Sequence, residues 1–246
     1  LTSKTINVDS LIIENPIINV WQNKDSTWSL SQFVKASDRV EVQQSAPFSY
    51  SINLGYLGIK NGNISTQTFS TFIPEKTQHF NLIANGFYNT DNLRIQLKKL
   101  DFTSEDPSIV LNQFSGIFKR SSAGIQLDSL ILKTAGSAAN MSGEYVSTQT
   151  MSTNVEANTI DKNEISIFIP SIKLNCSPAL KASFKTVNDS LTARVELKYK
   201  NESMLVELAL NPFSNLLNKT EPLPYFATLS FINFNIENWT DFNNEH

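Results

Sequence analysis

The sequence has very few of the residues that build metal centres, disulfides and catalytic triads. Among 246 residues there are one cysteine, Cys176, and two histidines, His79 and His246. No disulfide can form within the chain, and a metal site ligated by Cys or His lacks donors. A Ser-His-Asp triad would depend on His79 alone, and no G-x-S-x-G, H-E-x-x-H or phosphate-binding glycine loop occurs. We therefore expect a protein that is not an enzyme, binds no metal and needs no cofactor.

The chain also has few glycines, a small net charge and no long apolar run. The 8 glycines exclude collagen and glycine-aspartate β-helix repeats. A formal net charge of −3 argues against nucleic acid as a partner, because phosphate neutralisation needs a basic face. No stretch approaches the roughly 18 apolar residues of a transmembrane helix. Since the chain opens on Leu1 and not on Met or a signal peptide, we expect a piece of a longer protein whose membrane anchor lies outside it.

Asparagine, serine and threonine are abundant instead. They number 27, 29 and 19, which is 75 of 246 residues, while apolar residues make up 40%. These polar residues compete with helical hydrogen bonds, but they suit strands with one wet face and one apolar face. The composition therefore predicts an all-β chain with few short helices, the best candidates being Ser29–Ala36 and Asn211–Asn218.

One apolar pattern recurs, with steps of two, three and two residues. Its six occurrences are Ile6, Val8, Leu11 and Ile13; Ile52, Leu54, Leu57 and Ile59; Ile95, Leu97, Leu100 and Phe102; Ile125, Leu127, Leu130 and Leu132; Ile167, Ile169, Ile172 and Leu174; and Leu229, Phe231, Phe234 and Ile236. On a regular strand the three-residue step would turn the second pair to the opposite face. One extra residue, a β-bulge, returns both pairs to the same face and bends the strand. The pattern predicts bulged, curved antiparallel strands, and a two-residue hairpin is the competing interpretation.

Simpler strands and turns lie between these units. The predicted strands are Ile17–Gln22, Phe80–Ala84, Ile109–Phe114, Gly143–Ser147, Ala182–Val187, Thr192–Lys200 and Met204–Leu210, with turns at Asn61-Gly62 and Asn188–Ser190. The tetrapeptide Asp-Ser-Leu-Ile occurs at Asp9–Ile12 and again at Asp128–Ile131. We interpret this as a loose duplication, with one β-rich unit at 1–120 and a second at 121–246 in one continuous architecture.

Two architectures can cover the apolar faces of such strands. In a sandwich a second sheet packs on them, whereas in a groove they stay open to acyl chains. The first five occurrences of the pattern, from Ile6 to Leu174, are the candidate groove lining. The basic clusters Arg94–Lys99 and Arg194–Lys200 fit the wet face of strands, with contact to anionic headgroups as the lesser alternative.

The segment Val8–Leu30 resembles the AsmA/TamB-like family of bacterial envelope proteins. It contains a strand, a break at Asn15-Pro16, an apolar strand, a charged turn at Asn23–Ser26, the aromatic Trp28 and Ser29-Leu30 opening a short helix. Two positions depart from the family pattern, because Ser26 stands where Gly is usual and Ser29 where Asn is usual.

Two further segments are similar to the same family. Leu57–Ile64 resembles its strand–Asn-Gly–strand hairpin, and Ile125–Tyr145 resembles an apolar strand followed by Thr, Ser and a glycine-containing strand. The resemblance implies a β-rich periplasmic region of a protein anchored in the inner membrane. It also implies an apolar β-groove that conducts phospholipid acyl chains between membranes and supports outer-membrane assembly.

Two other functions remain open from the residues. The chain could be a structural or interaction module that uses sheet edges and binds no ligand. It could also be a secreted carbohydrate-binding or adhesin domain, which would need an exposed aromatic row from Trp21, Trp28 and Trp239.

Overall fold

The computed structural model describes residues 4–29, 50–70, 73–147, 150–169, 173–213 and 224–240. The strands are β1 (Thr5–Val8), β2 (Leu11–Glu14), β3 (Ile17–Trp21), β4 (Ser51–Gln67), β5 (Lys76–Tyr88), β6 (Leu93–Glu105), β7 (Val110–Ser121), β8 (Gly124–Thr134), β9 (Ala138–Ser147), β10 (Thr150–Thr159), β11 (Ala179–Val187), β12 (Ser190–Tyr199), β13 (Glu202–Leu210) and β14 (Tyr225–Ile232). The helices are α1 (Lys162–Phe168) and α2 (Ile236–Trp239). The prediction of an all-β chain with few short helices is confirmed.

These strands belong to one mixed sheet of 14 strands. The chain divides into two compact units, 1–114 and 115–246, with the division inside β7. Unit 1 contains β1 to β6, and unit 2 contains β8 to β14. Whether the two halves are repeats stays a prediction.

In unit 1, three short strands share one long partner. β1, β2 and β3 follow each other along β4 and all pair with it in parallel. β4, β5 and β6 then pair antiparallel in sequence order. The sheet is therefore mixed, and the purely antiparallel prediction is wrong for its first three strands. Breaks at Asp9-Ser10 and Asn15-Pro16 cut what would otherwise be one strand into three.

In unit 2, the strands from β8 to β14 pair antiparallel in sequence order. Asn188 and Asp189 form the two-residue turn between β11 and β12, with φ of 49° and 62°. Both angles lie in the left-handed region that a type I′ turn requires, and Asn and Asp tolerate it. The predicted turn is confirmed, and the predicted simple strands all fall within or close to observed ones.

The bulge prediction is confirmed for the second, third and fourth occurrences of the apolar pattern, where the pairing register shifts in the two-residue gap. In the first occurrence the strand breaks at that gap instead, because β1 ends at Val8 and β2 begins at Leu11. The positions are Val8 to Leu11, Leu54 to Leu57, Leu97 to Leu100 and Leu127 to Leu130. Ser129, in the last gap, has a φ of 50°. The extra residue keeps the two apolar pairs of the pattern on the same face of the sheet.

The last two occurrences are not bulged strands. Ile167 lies in α1, and Ile169 is the C-cap of that helix. The helix starts here because Asp161 caps it by accepting hydrogen bonds from the N–H groups of Asn163 and Glu164. Ile172 lies outside the described residues. In the other occurrence β14 ends at Ile232, and Ile236 opens α2. Asn233, with a φ of 50°, and the capping Asn235 end the strand between them.

The remaining predictions concern turns and helices. Asn61-Gly62 is not a hairpin turn, because β4 continues through it to Gln67. The helix predicted at Ser29–Ala36 lies outside the described residues except for Ser29. Asn211–Phe213 form a bend and turn, not helix, and the rest of that predicted helix also lies outside them.

Candidate functional site: the apolar face of each unit

Every strand of unit 2 from β8 to β14 contributes four residues to the same face of the sheet. Residues directly opposite each other in neighbouring strands share a face, so the pairing registers define four rows across the strands. Two rows are Leu130, Met141, Val155, Ala182, Val195, Val206 and Leu229; and Leu132, Ala139, Ala157, Leu180, Leu197, Met204 and Phe231. The other two are Leu127, Gly143, Thr153, Phe184, Ala193, Leu208 and Ala227; and Ile125, Tyr145, Met151, Thr186, Leu191, Leu210 and Tyr225. We call this set the apolar face of unit 2.

This face carries no charged side chain in its four rows. Its central members, such as Val155, Val195 and Val206, are partly buried among their neighbours. Leu229 and Phe231, at the β14 side, are 56% and 50% exposed. All described strands belong to a single sheet, so the interlocking second sheet of the sandwich alternative is absent from the described residues.

One end of the apolar face, at β12 to β14, is covered by α2. By alternation from Leu197 and Met204, the side chains of Tyr199 and Glu202 lie on the same face. The indole of Trp239 stacks on Phe234 at a centroid distance of 5.3 Å and meets Tyr199 edge-on at 6.4 Å. Trp239 is 4% exposed, so this indole closes the end of the face.

Glu202 holds this cover in place. Its buried carboxylate accepts hydrogen bonds from the Asn235 N–H at 3.0 Å, from Asn238 Nδ2 and from Trp239 Nε1 at 2.8 Å. These donors, the Asn235 amide above all, lower the pKa of Glu202 below its ordinary 4.5 against the opposing effect of burial. A carboxylate on an otherwise uncharged face is therefore explained by its three partners.

The segment before β11 packs beside this cover. Leu174 forms a β-bridge with Thr240, and the Asn175 N–H donates to the Trp239 carbonyl at 3.0 Å. Of the predicted lining residues, Ile167, Ile169 and Leu174 thus lie in α1 or in this segment and not in the rows of the sheet.

The opposite end of the face is covered by Phe213. This ring packs with Leu191 and Leu210 in a small buried cluster, against which Met151 and Phe184 lie. The Phe213 N–H donates to the Asp189 carbonyl at 2.6 Å and fixes the segment to the β11–β12 turn. Covers at both strand ends leave the rows open in the direction that crosses the strands.

The apolar face of unit 1 has the same construction on fewer strands. Its four rows, taken across β1 or β2, β4, β5 and β6, are Ile6, Ile52, Tyr88 and Leu93; Val8, Leu54, Gly86 and Ile95; Leu11, Leu57, Ala84 and Leu97; and Ile13, Ile59, Leu82 and Leu100. Leu11 is 48% exposed and Ile95 is 42% exposed. Phe102 follows Leu100 on the same face and is partly buried.

The predicted lining residues in the first four occurrences therefore fall on these two faces, but most of the apolar face of unit 2 was not among them. Val155, Val195 and Val206 carry no bulge pattern. They alternate with polar residues at a simple period of two, and that signal would have placed them on the apolar face.

The opposite face of unit 2 carries polar and charged side chains on its central strands. Lys181 pairs with Glu156 at 2.6 Å, Arg194 with Glu207 at 2.6 Å and Lys198 with Glu196 at 2.8 Å. The Lys198 hydrogen bond lowers the pKa of Glu196. An open depression of about 580 Å³ lies on this face, and its polar lining is Asn140, Ser142, Asn154, Glu156, Lys181, Ser183, Arg194 and Glu196. Within the basic cluster Arg194–Lys200, Arg194 thus pairs with an acid on the neighbouring strand and Lys198 with an acid on its own strand, as expected of a wet face.

His79 belongs to a polar row of unit 1. Asn15, Asn61 and His79 all have φ between 51° and 53°. Asn61 Nδ2 donates to Asn15 Oδ1 at 2.8 Å, and His79 Nδ1 lies 3.0 Å from Asn61 Oδ1. These contacts join the break after β2 to the register shifts of β4 and β5, so Asn61-Gly62 lies inside the sheet and not in a turn.

No family model, no curated protein and no solved structure matches the chain. Across the described ranges, no helix has the length and apolar character needed to span a membrane. In the same residues no group of three or more His, Cys, Asp and Glu side chains could hold a metal ion. The apolar faces are the candidate site that the geometry supports best.

Proposed function

We propose that this chain binds lipid acyl chains on the apolar faces of its two units. We propose further that it does so as a periplasmic segment of an AsmA/TamB-like protein, moving lipid between membranes and supporting outer-membrane assembly. The observation that carries the proposal is the set of four uncharged rows across seven adjacent strands of unit 2. Within the described residues no second layer packs on this face, and large exposed apolar patches mark binding surfaces.

The covers at the strand ends fix the direction in which an acyl chain would lie. Phe213 limits the face at one end of the strands and Trp239 at the other. An acyl chain therefore lies along the rows, crossing the strands. Seven strands spaced about 4.8 Å apart give a path of roughly 29 Å across unit 2.

The chemistry of the rows favours passage over tight capture. Each methylene removed from water contributes about 0.8 kcal/mol before ordering costs. The rows offer a sliding chain similar contacts at each strand and no charged group to hold it. We expect binding that is independent of headgroup charge and tolerant of chain length.

The alternatives that the sequence left open have less support. Trp239 is buried beside Phe234 and cannot join Trp21 and Trp28 in an exposed aromatic row for sugars. A structural module that binds no ligand would need a partner protein to cover its apolar faces. The opposite face offers such a partner few free charges, because its charged residues already pair with each other.

Binding of a fluorescent fatty acid to the delipidated protein tests this proposal. Val155→Glu places a charge in the middle of the apolar face, while Asn154→Glu places the same charge on the opposite face of the same strand. Leu97→Glu and Gln96→Glu are the matched pair in unit 1. We expect Val155→Glu and Leu97→Glu each to remove the sites of their own unit, or to weaken them about tenfold or more, since burying an unpaired carboxylate is costly.

The neighbouring variants should bind like the wild type. Circular dichroism and thermal melts identify any variant that fails to fold, and Val155→Thr then serves as the milder substitution. A wild-type protein that takes up no fatty acid, or equal uptake by both members of each pair, would overturn the proposal.

A further inference from the structure

β14 is an edge strand with apolar side chains on both faces. It is the last strand of the sheet, and no described strand pairs with its outer edge. Tyr225 and Leu229 on the apolar face are 72% and 56% exposed, and Phe226 and Ile232 on the opposite face are 69% and 61% exposed. An edge of this kind invites pairing with another strand.

The features that normally prevent such pairing are absent from β14. Its eight residues, Tyr-Phe-Ala-Thr-Leu-Ser-Phe-Ile, include no charged residue, no proline and no glycine. No register shift interrupts its pairing with β13. β1, β2 and β3 differ, because they have four, four and five residues and are separated by Asp9-Ser10 and Asn15-Pro16.

We infer that β14 pairs antiparallel with β14 of a second copy of this chain. A two-fold register centred on Thr228 places Tyr225 opposite Phe231 of the other copy and Ala227 opposite Leu229. Residues of the apolar face then meet residues of the apolar face, so the rows continue from one copy into the other. On the opposite face Phe226 meets Ser230 of the second copy, and the two Thr228 side chains meet each other, a favourable cross-strand pair.

Charge and area both fit a second copy. An uncharged strand meets its own copy without like-charge repulsion, whereas a partner strand bearing charges would gain no ion pair. The exposed surface of Tyr225, Phe226, Leu229, Phe231 and Ile232 is roughly 600 Å² per copy, taking aromatic side chains at about 200 Å². Strand pairing at this edge buries part of that surface, so two copies bury at most about 1,200 Å², which is at or below the lower end of specific interfaces. The dimer should therefore be weak and concentration-dependent.

A charge-swap pair at positions 226 and 230 tests both the dimer and its register. Phe226→Lys with Ser230→Glu places a lysine of each copy opposite a glutamate of the other copy, which gives two pairs of opposite charges. Phe226→Lys with Ser230→Lys places like charges there. Both double variants alter only exposed side chains on the face opposite the apolar rows. Fatty-acid binding by each monomer is therefore unchanged, which separates this test from that of the proposed function.

Sedimentation equilibrium over a concentration series gives the readout. We expect the wild type and the Lys/Glu variant to form dimers, with the Lys/Lys variant at least about fivefold weaker. A wild type that stays monomeric would overturn the inference and would leave β14 to a different partner. Equal weakening of both variants would refute the register, and growth beyond dimers would indicate a head-to-tail contact instead.

Discussion

The two faces of the unit 2 sheet use the same strands and the same registers but treat charge in opposite ways. On the polar face, Glu207 lies at the surface and pairs with Arg194 on the next strand. On the apolar face, the carboxylate of Glu202 is buried and accepts three hydrogen bonds from the chain that covers it. The difference shows that alternation along a strand can keep one face free of unpaired charge while the other stays wet.

The largest effect should follow from removing the carboxylate of Glu202. Glu202→Ala leaves the donors of Asn235, Asn238 and Trp239 without their shared acceptor, so α2 should detach and the melting temperature should fall by several degrees. Glu207→Ala, on the other face of the same strand, removes an exposed ion pair worth at most about 1 kcal/mol. Hydrogen exchange at the amides of 235–240 measures the difference, and equal protection in both variants would contradict it.

Acid should weaken the same cover. The folded-state pKa of Glu202 lies below its ordinary 4.5, so its stabilising contribution is complete above that value and is lost as the pH falls through the lower folded value. The free energy of unfolding should therefore drop below about pH 4.5. Glu202→Gln should remove this part of the pH dependence. Urea denaturation at a series of pH values measures it, and a free energy of unfolding that falls with acid equally in both proteins would show that Glu202 is not responsible.

The bulge at Ser129 keeps Leu127 and Leu130 on one face, and its backbone conformation can be tested. Ser129 has a φ of 50°, which a β-branched residue adopts only with strain. Ser129→Val should destabilise the protein by about 1–2 kcal/mol, while Ser129→Gly should be neutral or stabilise it by up to about 1 kcal/mol. Chemical denaturation measures both, and the opposite order would argue against a left-handed residue there.

The smallest effect compares two threonines on opposite faces. Thr186 is 2% exposed on the apolar face, and its hydroxyl has no hydrogen-bond partner among the described residues. Thr186→Val should raise the free energy of unfolding by about 1 kcal/mol, because it removes an unsatisfied buried group. Thr192, whose hydroxyl donates to the Lys185 carbonyl, should gain nothing from the same change.

The apolar faces could be predicted from the sequence where the apolar residues on either side of a bulge have a distinctive spacing. Leu54 and Leu57, or Leu127 and Leu130, are placed by a three-residue step that only an extra residue can accommodate on one face. The same spacing failed at Ile167, because Asp161 and Glu164 provide a helix start that outweighs it. That Asp-x-x-Glu signal was readable in advance.

Other features depend on contacts that spacing does not encode. β1 to β3 pair with β4 in parallel. Nothing in the sequences of these short strands specifies whether they pair with β4 in parallel or antiparallel. Asn61-Gly62 has turn chemistry, yet the side chains of Asn15 and His79 meet Asn61 within the sheet. Glu202 gave no sign of being buried, since its partners lie 33 to 37 residues later.

The most direct test of the central claim is photo-labelling with a diazirine fatty acid, followed by mass spectrometric mapping of the labelled residues. The account predicts label on row residues of the apolar face, such as Val155, Val195 and Val206, and protection of these positions by unlabelled fatty acid. Label concentrated on Asn154, Arg194 and the polar depression, or no saturable label at all, would contradict it.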